Sequence, residues 1–156
     1  GLGDVYKRQL MRKINYIVVH CSATREGCTL TSEALEAEHR RRGFRTTGYH
    51  YYIRRDGTVL GTRSLELPGA HCRGHNKYSI GICYEGGLDA WGNPKDTRTP
   101  EQRSALHLLV YQLLQQFRNA RVCGHRDLSP DLDGDGTVEP WEWVKQCPCF
   151  EVSKEF

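Results

Sequence analysis

Four short stretches carry side chains that can do chemistry. A histidine closes an apolar run at Tyr16-Ile17-Val18-Val19-His20, and a tyrosine sits inside Gly48-Tyr49-His50. A second histidine opens Gly124-His125-Arg126-Asp127, and a lysine stands two residues before a cysteine in Lys145-Gln146-Cys147-Pro148. His20, His125 and Cys147 would supply two imidazoles and one thiolate, and a catalytic zinc ion needs about three such ligands so that a further position stays open for water. An ion held this way lowers the pKa of its water toward about 7 and polarises a scissile carbonyl, so hydrolysis does not require a covalent enzyme intermediate. That chemistry also needs a group to orient the water or carry its proton, and another to stabilise the oxyanion; the Tyr49 hydroxyl and the Lys145 ammonium are candidates. Each fragment alone has an ordinary reading. A strand-end histidine packs or faces water, a lone cysteine is a buried thiol, Tyr49 is a core aromatic and Lys145 is a solvated lysine. Spacing alone does not select the trio, and Cys149, two residues beyond Cys147, competes for the third place.

The elements that would position these groups can be read from pattern. Ile14 to His20 is short, apolar and rich in β-branched residues, as expected of a buried strand that presents His20 and Cys21 at its end. A helix follows, capped by Thr31 or Ser32 and ended by Gly43 after the cationic run His39-Arg40-Arg41-Arg42, whose charge suits a helix C-terminus. Tyr49 to Arg54 and Thr58 to Gly61 flank Asp56-Gly57, the turn of a tight hairpin. Ser79 to Tyr84 reads as a second buried strand, followed by a polar loop from Gly86-Gly87 to Thr99. Thr99, Pro100 and Gln102 form a helix start, and Leu106, Leu109, Val110, Leu113, Leu114 and Phe117 then recur on one face, with His107 on the helix surface. A short strand through Arg121 to Cys123 leads into the His125 loop, and Trp141 to Gln146 is expected to form a last helical turn or two. Strands mixed with covering helices predict a single α/β domain, a central mixed sheet covered by helices, without internal repeats.

Composition narrows the class. A chain of 156 residues with no linker fits one domain, and 38% hydrophobic with 26% charged residues fits a globular protein. The formal charge of +3 is mild, enough to favour approach to a polyanion such as an acidic cell wall and too small to argue for nucleic acid. No apolar stretch is long enough for a membrane span, so no membrane insertion is predicted. Gly1 to Leu10 reads as a non-native or disordered leader, with Met11 as a natural start of the domain at 11–156 and no secretory signal before it. Seven cysteines, an odd number without an export signal, point to synthesis in a reducing compartment, the cytoplasm.

Taken together, "YIVVHCSAT", "HRRRGFRTTGYHYYIRRDGTV", "GAHCRGHNKYSIGICYEGG", "TPEQRSAL", "GHRDLSP" and "KQCPCF" resemble the zinc-dependent N-acetylmuramoyl-L-alanine amidases of type 2, which include amidase-type phage lysozymes and are related to peptidoglycan recognition proteins. The likeness covers nearly all of Met11 to Phe150. It implies an amidase and recognition-protein-like fold, with zinc on His20, His125 and Cys147 and catalytic assistance from Tyr49 and Lys145. Cys147 is preferred over Cys149 because it keeps the family's Lys-x-Cys-Pro order. The implied reaction is hydrolysis of the amide between N-acetylmuramic acid and L-alanine of the peptidoglycan stem. The implied partner is that muropeptide substrate and the implied state a monomer, acting at the cell wall or periplasm after release or export. His71 and Asn76 fall in a family stretch near the substrate groove and become candidate contacts, although His71, Cys72 and His75 also read as polar loop residues. The alternative is a non-catalytic peptidoglycan-binding module of the same fold; Cys147 with Lys145 speaks against it.

One departure from shorter family members stands apart. Between Pro130 and Lys145, Asp131-Leu132-Asp133-Gly134-Asp135-Gly136-Thr137-Val138-Glu139-Pro140-Trp141-Glu142 fits an EF-hand loop over 131–142. Asp131, Asp133 and Asp135 take odd ligand positions, Gly136 the sharp turn, Thr137 a backbone carbonyl, Glu139 a direct or water-mediated place and Glu142 the bidentate end, which makes Ca2+ a second candidate ion. Ser129-Pro130 precedes the loop where an EF-hand would have its entering helix, so an acidic surface turn is the other reading.

Overall fold

The computed structural model describes residues 12–156; the expectations for Gly1 to Leu10 and for Met11 lie outside the described residues. Short apolar runs, buried on both faces in the two central strands, build a five-stranded mixed sheet. Its strands are β1 (Tyr16–Cys21), β3 (Tyr51–Ile53), β4 (Val59–Gly61), β5 (Ser79–Tyr84) and β7 (Arg121–Gly124), in the order β4-β3-β5-β1-β7. β1 lies between β5 and β7 and pairs in parallel with both. β3 is parallel to β5, and only β4, returning through the Asp56-Gly57 turn where Gly57 has φ +88°, runs antiparallel. Parallel central strands carry their carboxyl ends to one edge of the sheet, the edge where open α/β sheets collect their ligands.

The two faces of the sheet have different fates because side chains alternate along a strand. Ile17, Val19 and Cys21 of β1, with Ile80, Ile82 and Tyr84 of β5 and Ile53 of β3, form the main core under helix α2 (Pro100–Gln116), which contributes Leu106, Leu109, Val110 and Leu113. On the opposite face, Tyr52 and Cys83 pack against Leu35 of helix α1 (Ser32–Arg41), a smaller cluster that leaves room at the strand ends. His20 projects onto this second face.

Both helix starts follow the expected chemistry. Thr31 caps α1, its hydroxyl accepting from the Ala34 N–H, and Thr99 with Gln102 forms a capping box for α2. Gln102 does more than cap. It is fully buried, and its side-chain amide donates to the carbonyls of Ile53 (3.2 Å) and Glu85 (2.9 Å), tying α2 to the ends of β3 and β5.

Two expectations need correction. The loop from Gly86 to Thr99 begins with a two-residue strand, β6 (Gly87–Leu88), paired in parallel with β2 (Thr24–Arg25); the pairs are too short to leave a periodic signal. The helix expected over Trp141 to Gln146 is a single 3-10 turn, Pro140–Glu142, after which Trp143 turns extended and the Val144 N–H is taken by the Ser129 hydroxyl. Side chains rather than a helical ladder satisfy that backbone. Beyond it, the C-terminal segment is pinned into the core by Phe150 and Val152, with the buried Arg98 guanidinium 3.3 Å over the Phe150 ring and paired with Asp96 and Glu155.

Replacing Gln102 by Met keeps volume and removes the two buried bonds, leaving the Glu85 carbonyl without its side-chain donor while the Ile53 carbonyl keeps the Glu85 N–H. We expect a loss of about 2–3 kcal/mol in urea unfolding; a loss below about 1 kcal/mol would show that Gln102 acts as a cap alone.

Candidate metal centre

Three segments far apart in sequence meet at the carboxyl edge of the sheet. His20 is the penultimate residue of β1 and is buried; His125 begins the 3-10 turn directly after β7; Cys147 lies in the C-terminal segment that crosses both strand ends. One donor atom from each of His20, His125 and Cys147 falls within 4.8 Å of the others. The crossing is held by backbone. The Arg126 N–H donates to the Cys147 carbonyl (2.9 Å), and the Cys21 N–H donates to the Cys147 sulfur (3.2 Å). Gly124 makes the approach possible, since a Cβ there would stand 2.7 Å from the Pro148 ring. Tyr84 then donates its hydroxyl to the Pro148 carbonyl at 2.5 Å.

The His20 ring is oriented by a neighbour. Its Nε2 lies 2.8 Å from Nδ1 of His71, whose own Nε2 lies 3.0 Å from the Ser79 hydroxyl. If His20 Nε2–H donates to His71 Nδ1, and His71 Nε2–H donates to Ser79, three of the four ring nitrogens are satisfied and His20 Nδ1 is left as a free lone pair. A metal-ligating histidine needs this kind of partner on its other nitrogen to hold its tautomer and ring plane. His71 fits only because two glycines make its slot: a Cβ at Gly69 would come within 2.5 Å of the ring, and one at Gly81 within 2.6 Å.

Burial keeps the rings neutral. His20 is held well below the ordinary histidine value, first by burial and then by His71, His125 and Lys145; burial also pushes His71 down to about 3 and His50 down to about 4. His50 accepts a bond on Nδ1 from the Gly81 N–H and faces the Leu67 carbonyl with Nε2, a buried support for the β3–β5 junction rather than a site group. Two imidazoles and one cysteine sulfur are a donor set suited to zinc.

The Tyr49 ring packs 5.1 Å from that of His20 and 5.4 Å from that of His39. His39 fixes the local backbone by accepting the Gly48 N–H at 2.7 Å. Burial first, and the thiols of Cys83, Cys147 and Cys21 after it, hold the Tyr49 phenol well above its ordinary value, so it stays a hydrogen-bond donor. Lys145 is exposed on the rim of a groove of about 920 Å³ that runs past His71, Asn76, His125 and Ser129. Of the two candidate contacts, Asn76 has its side-chain oxygen engaged by the N–H groups of His71 (3.0 Å) and Cys72 (2.9 Å), which shapes the groove wall. His71 is a buried link behind His20 rather than an exposed loop residue.

Cys149 does not join the centre: its sulfur faces Cys21 at 3.9 Å. In the loop after Pro130, Asp131, Asp133, Asp135 and Glu142 each bring a carboxylate oxygen within 4.8 Å of the others. Glu142 is buried and accepts from the N–H groups of Leu132, Asp133 and Glu139, and hydrogen bonding to Asp135 and Glu142 raises the Glu139 carboxyl. Of the site residues, sequence reasoning did not anticipate Ser79, Gly81 or the roles of His39 and His71. His39 carried a signal, four residues after Leu35 on the buried face of α1; the others did not.

Comparison with known proteins shows what the chain is similar to. The sequence profile described as N-acetylmuramoyl-L-alanine amidase matches residues 10–148. The endolysin of Klebsiella phage KP32 is 36% identical over 148 residues, 95% of this chain and 87% of that protein. A peptidoglycan-recognition protein of Drosophila melanogaster is 30% identical over 122 residues, 75% of this chain and 66% of that protein. Among solved structures, N-acetylmuramoyl-L-alanine amidase LysC from Clostridium intestinale superposes with a TM-score of 0.71 at 26% identity, covering 92% of this chain and 82% of the other.

The buried histidines predict a pH signature. Because their folded pKa values lie below 6.5, the unfolded chain takes up protons first, and stability falls as pH drops from about 6.5 toward 4. Long-range 1H–15N spectra of metal-free protein at pH 5.5 should show His20 neutral with the proton on Nε2. Ordinary titration of His20 near 6.5 would contradict the network.

Proposed function

This chain belongs to the N-acetylmuramoyl-L-alanine amidase family, and from that premise we propose that it is a zinc-dependent enzyme cutting the bond between N-acetylmuramic acid and L-alanine in peptidoglycan. The observation that carries the reading is the convergence of His20, His125 and Cys147 donors at the carboxyl edge of the sheet, with His125 also lining the groove. When bound there, zinc supplies Lewis acidity toward the scissile carbonyl and lowers the pKa of water. The chain's own groups do the rest. His71 and Ser79 keep the His20 lone pair aimed at the ion, and the groove seats the glycan and peptide arms on either side. Tyr49, protonated and half-buried beside His20, donates a hydrogen bond to the carbonyl oxygen as negative charge builds on it; Lys145 adds a cation at the same edge. His71 and Asn76 serve the substrate through the groove wall they shape, Asn76 by fixing the backbone of residues 71 and 72.

The likeness to a peptidoglycan-recognition protein gives the second reading, a module that binds muropeptides without cutting them. Cys147 and Lys145 favour the enzyme, because a pure binder needs neither a thiolate nor a cation at the scissile bond. The mild charge of +3 and the open groove suit a monomer working on the wall after release or export. Among the described residues, no helix is long and apolar enough to cross a membrane.

Zinc-loaded protein incubated with purified peptidoglycan should release new L-alanine amino termini. Cys147→Ser should reduce that rate by more than about 100-fold, with zinc content falling in parallel. Binding without new termini would favour the recognition reading, and new reducing sugar ends would make it a glycosidase.

For the acidic loop at 131–142, the proposal is Ca2+ held by Asp131, Asp133, Asp135 and Glu142, with the Thr137 carbonyl and Glu139 completing the set. Its support is the ligand spacing together with four carboxylate oxygens drawn into one volume despite their repulsion. The loop spans the chain between His125 and Cys147, so the ion would brace that crossing. Calorimetric titration should show one Ca2+ per chain, weakened at least about tenfold in Asp133→Asn. Chelating calcium should also speed zinc loss; no heat, and no change in zinc retention, would reject this role.

A further inference from the structure

Cys21 and Cys149 lie 128 positions apart in the chain, yet their sulfurs face each other at 3.9 Å. Each is held there by its surroundings. The Cys21 side chain lies against Gly87, where a Cβ would come within 2.5 Å of its sulfur, so Gly87 supplies the space that Cys21 fills. Cys149 sits between two anchored neighbours: the Pro148 carbonyl accepts from Tyr84, and Phe150 is buried in the core. Its own N–H donates to the Gln146 carbonyl at 2.8 Å, and it holds a left-handed backbone at φ +70° that turns its side chain inward. The metal centre uses neither thiol.

We propose that Cys21 and Cys149 are a dithiol pair that a small-molecule disulfide closes into a structural disulfide, stapling the strand that carries His20 to the segment that carries Cys147. The half-buried Cys149 sulfur attacks the oxidant first, releasing one thiol and leaving a mixed disulfide. The Cys21 sulfur then displaces the second thiol and forms the Cys21–Cys149 bond. The protein loses two electrons and two protons, both taken up by the two thiols released from the oxidant. The sulfurs have to close from 3.9 Å to about 2.0 Å to bond. A chain leaving a reducing compartment for an oxidising one would acquire the staple there.

The test uses the full chain, with and without zinc, incubated with oxidised glutathione under mildly alkaline conditions for several hours, alkylated, and mapped by mass spectrometry. The expected result is a Cys21–Cys149 linked peptide pair in most molecules, with Cys147 recovered unlinked. A rise in Tm of roughly 5–10 °C should accompany it and reverse on reduction. Cys149→Ser should show neither the link nor the rise. Glutathione left on Cys149 as a mixed disulfide, a dominant bond from either thiol to Cys147, or a Tm rise that persists in Cys149→Ser would each overturn the proposal. Because mapping and melting do not use the hydrolytic reaction, the outcome is independent of whether the zinc reading holds.

Discussion

Everything about this site depends on the C-terminal segment crossing the ends of β1 and β7 at backbone distance. Two N–H groups enforce it, that of Cys21 on the Cys147 sulfur and that of Arg126 on the Cys147 carbonyl. Gly124 removes the side chain that would otherwise hold Pro148 away. The donors of β1 and of the turn after β7 are neighbours because their strands are paired; only this crossing adds the third. Phe150, Val152 and the Arg98 stack hold the segment down, so the core under α2 also sets the position of a residue on the opposite edge.

The sheet separates stability from chemistry by face. One face is given to aliphatic packing against α2, while the other places His20, Cys83 and Ser79 beneath α1 and the groove. Polar groups buried on that second face are stable only if each finds a partner. The His20–His71–Ser79 chain, the bond from Gly81 to His50 and that from Gly48 to His39 are the solutions found. Each uses a neutral imidazole, which is why acid works against the fold and the site together. Residues that shape the site are therefore also structural.

Much of the architecture was legible in the sequence. Both helix caps, the Asp56-Gly57 hairpin and the two central buried strands have local causes, and the structure carries them within a residue or two. Short pieces were not legible. The β2–β6 pair has only two residues on each strand, and the turn at Pro140 lacks the length for a helical period. His71 read as a loop residue because nothing near it in sequence reveals that Gly69 and Gly81 open a slot for its ring.

By itself the sequence determined whatever depends on neighbours along the chain: where helices begin, which stretches alternate, the residue types available as ligands and bases, and the family to which their order belongs. The family likeness named the trio, and tertiary structure decided how its members are brought together and what stands behind them. It brought Cys147 rather than Cys149 toward the two histidines, turned Cys149 to Cys21, and set His71 behind His20. The reason is physical: convergence of residues more than a hundred positions apart is set by strand pairing and close packing, which no local pattern encodes.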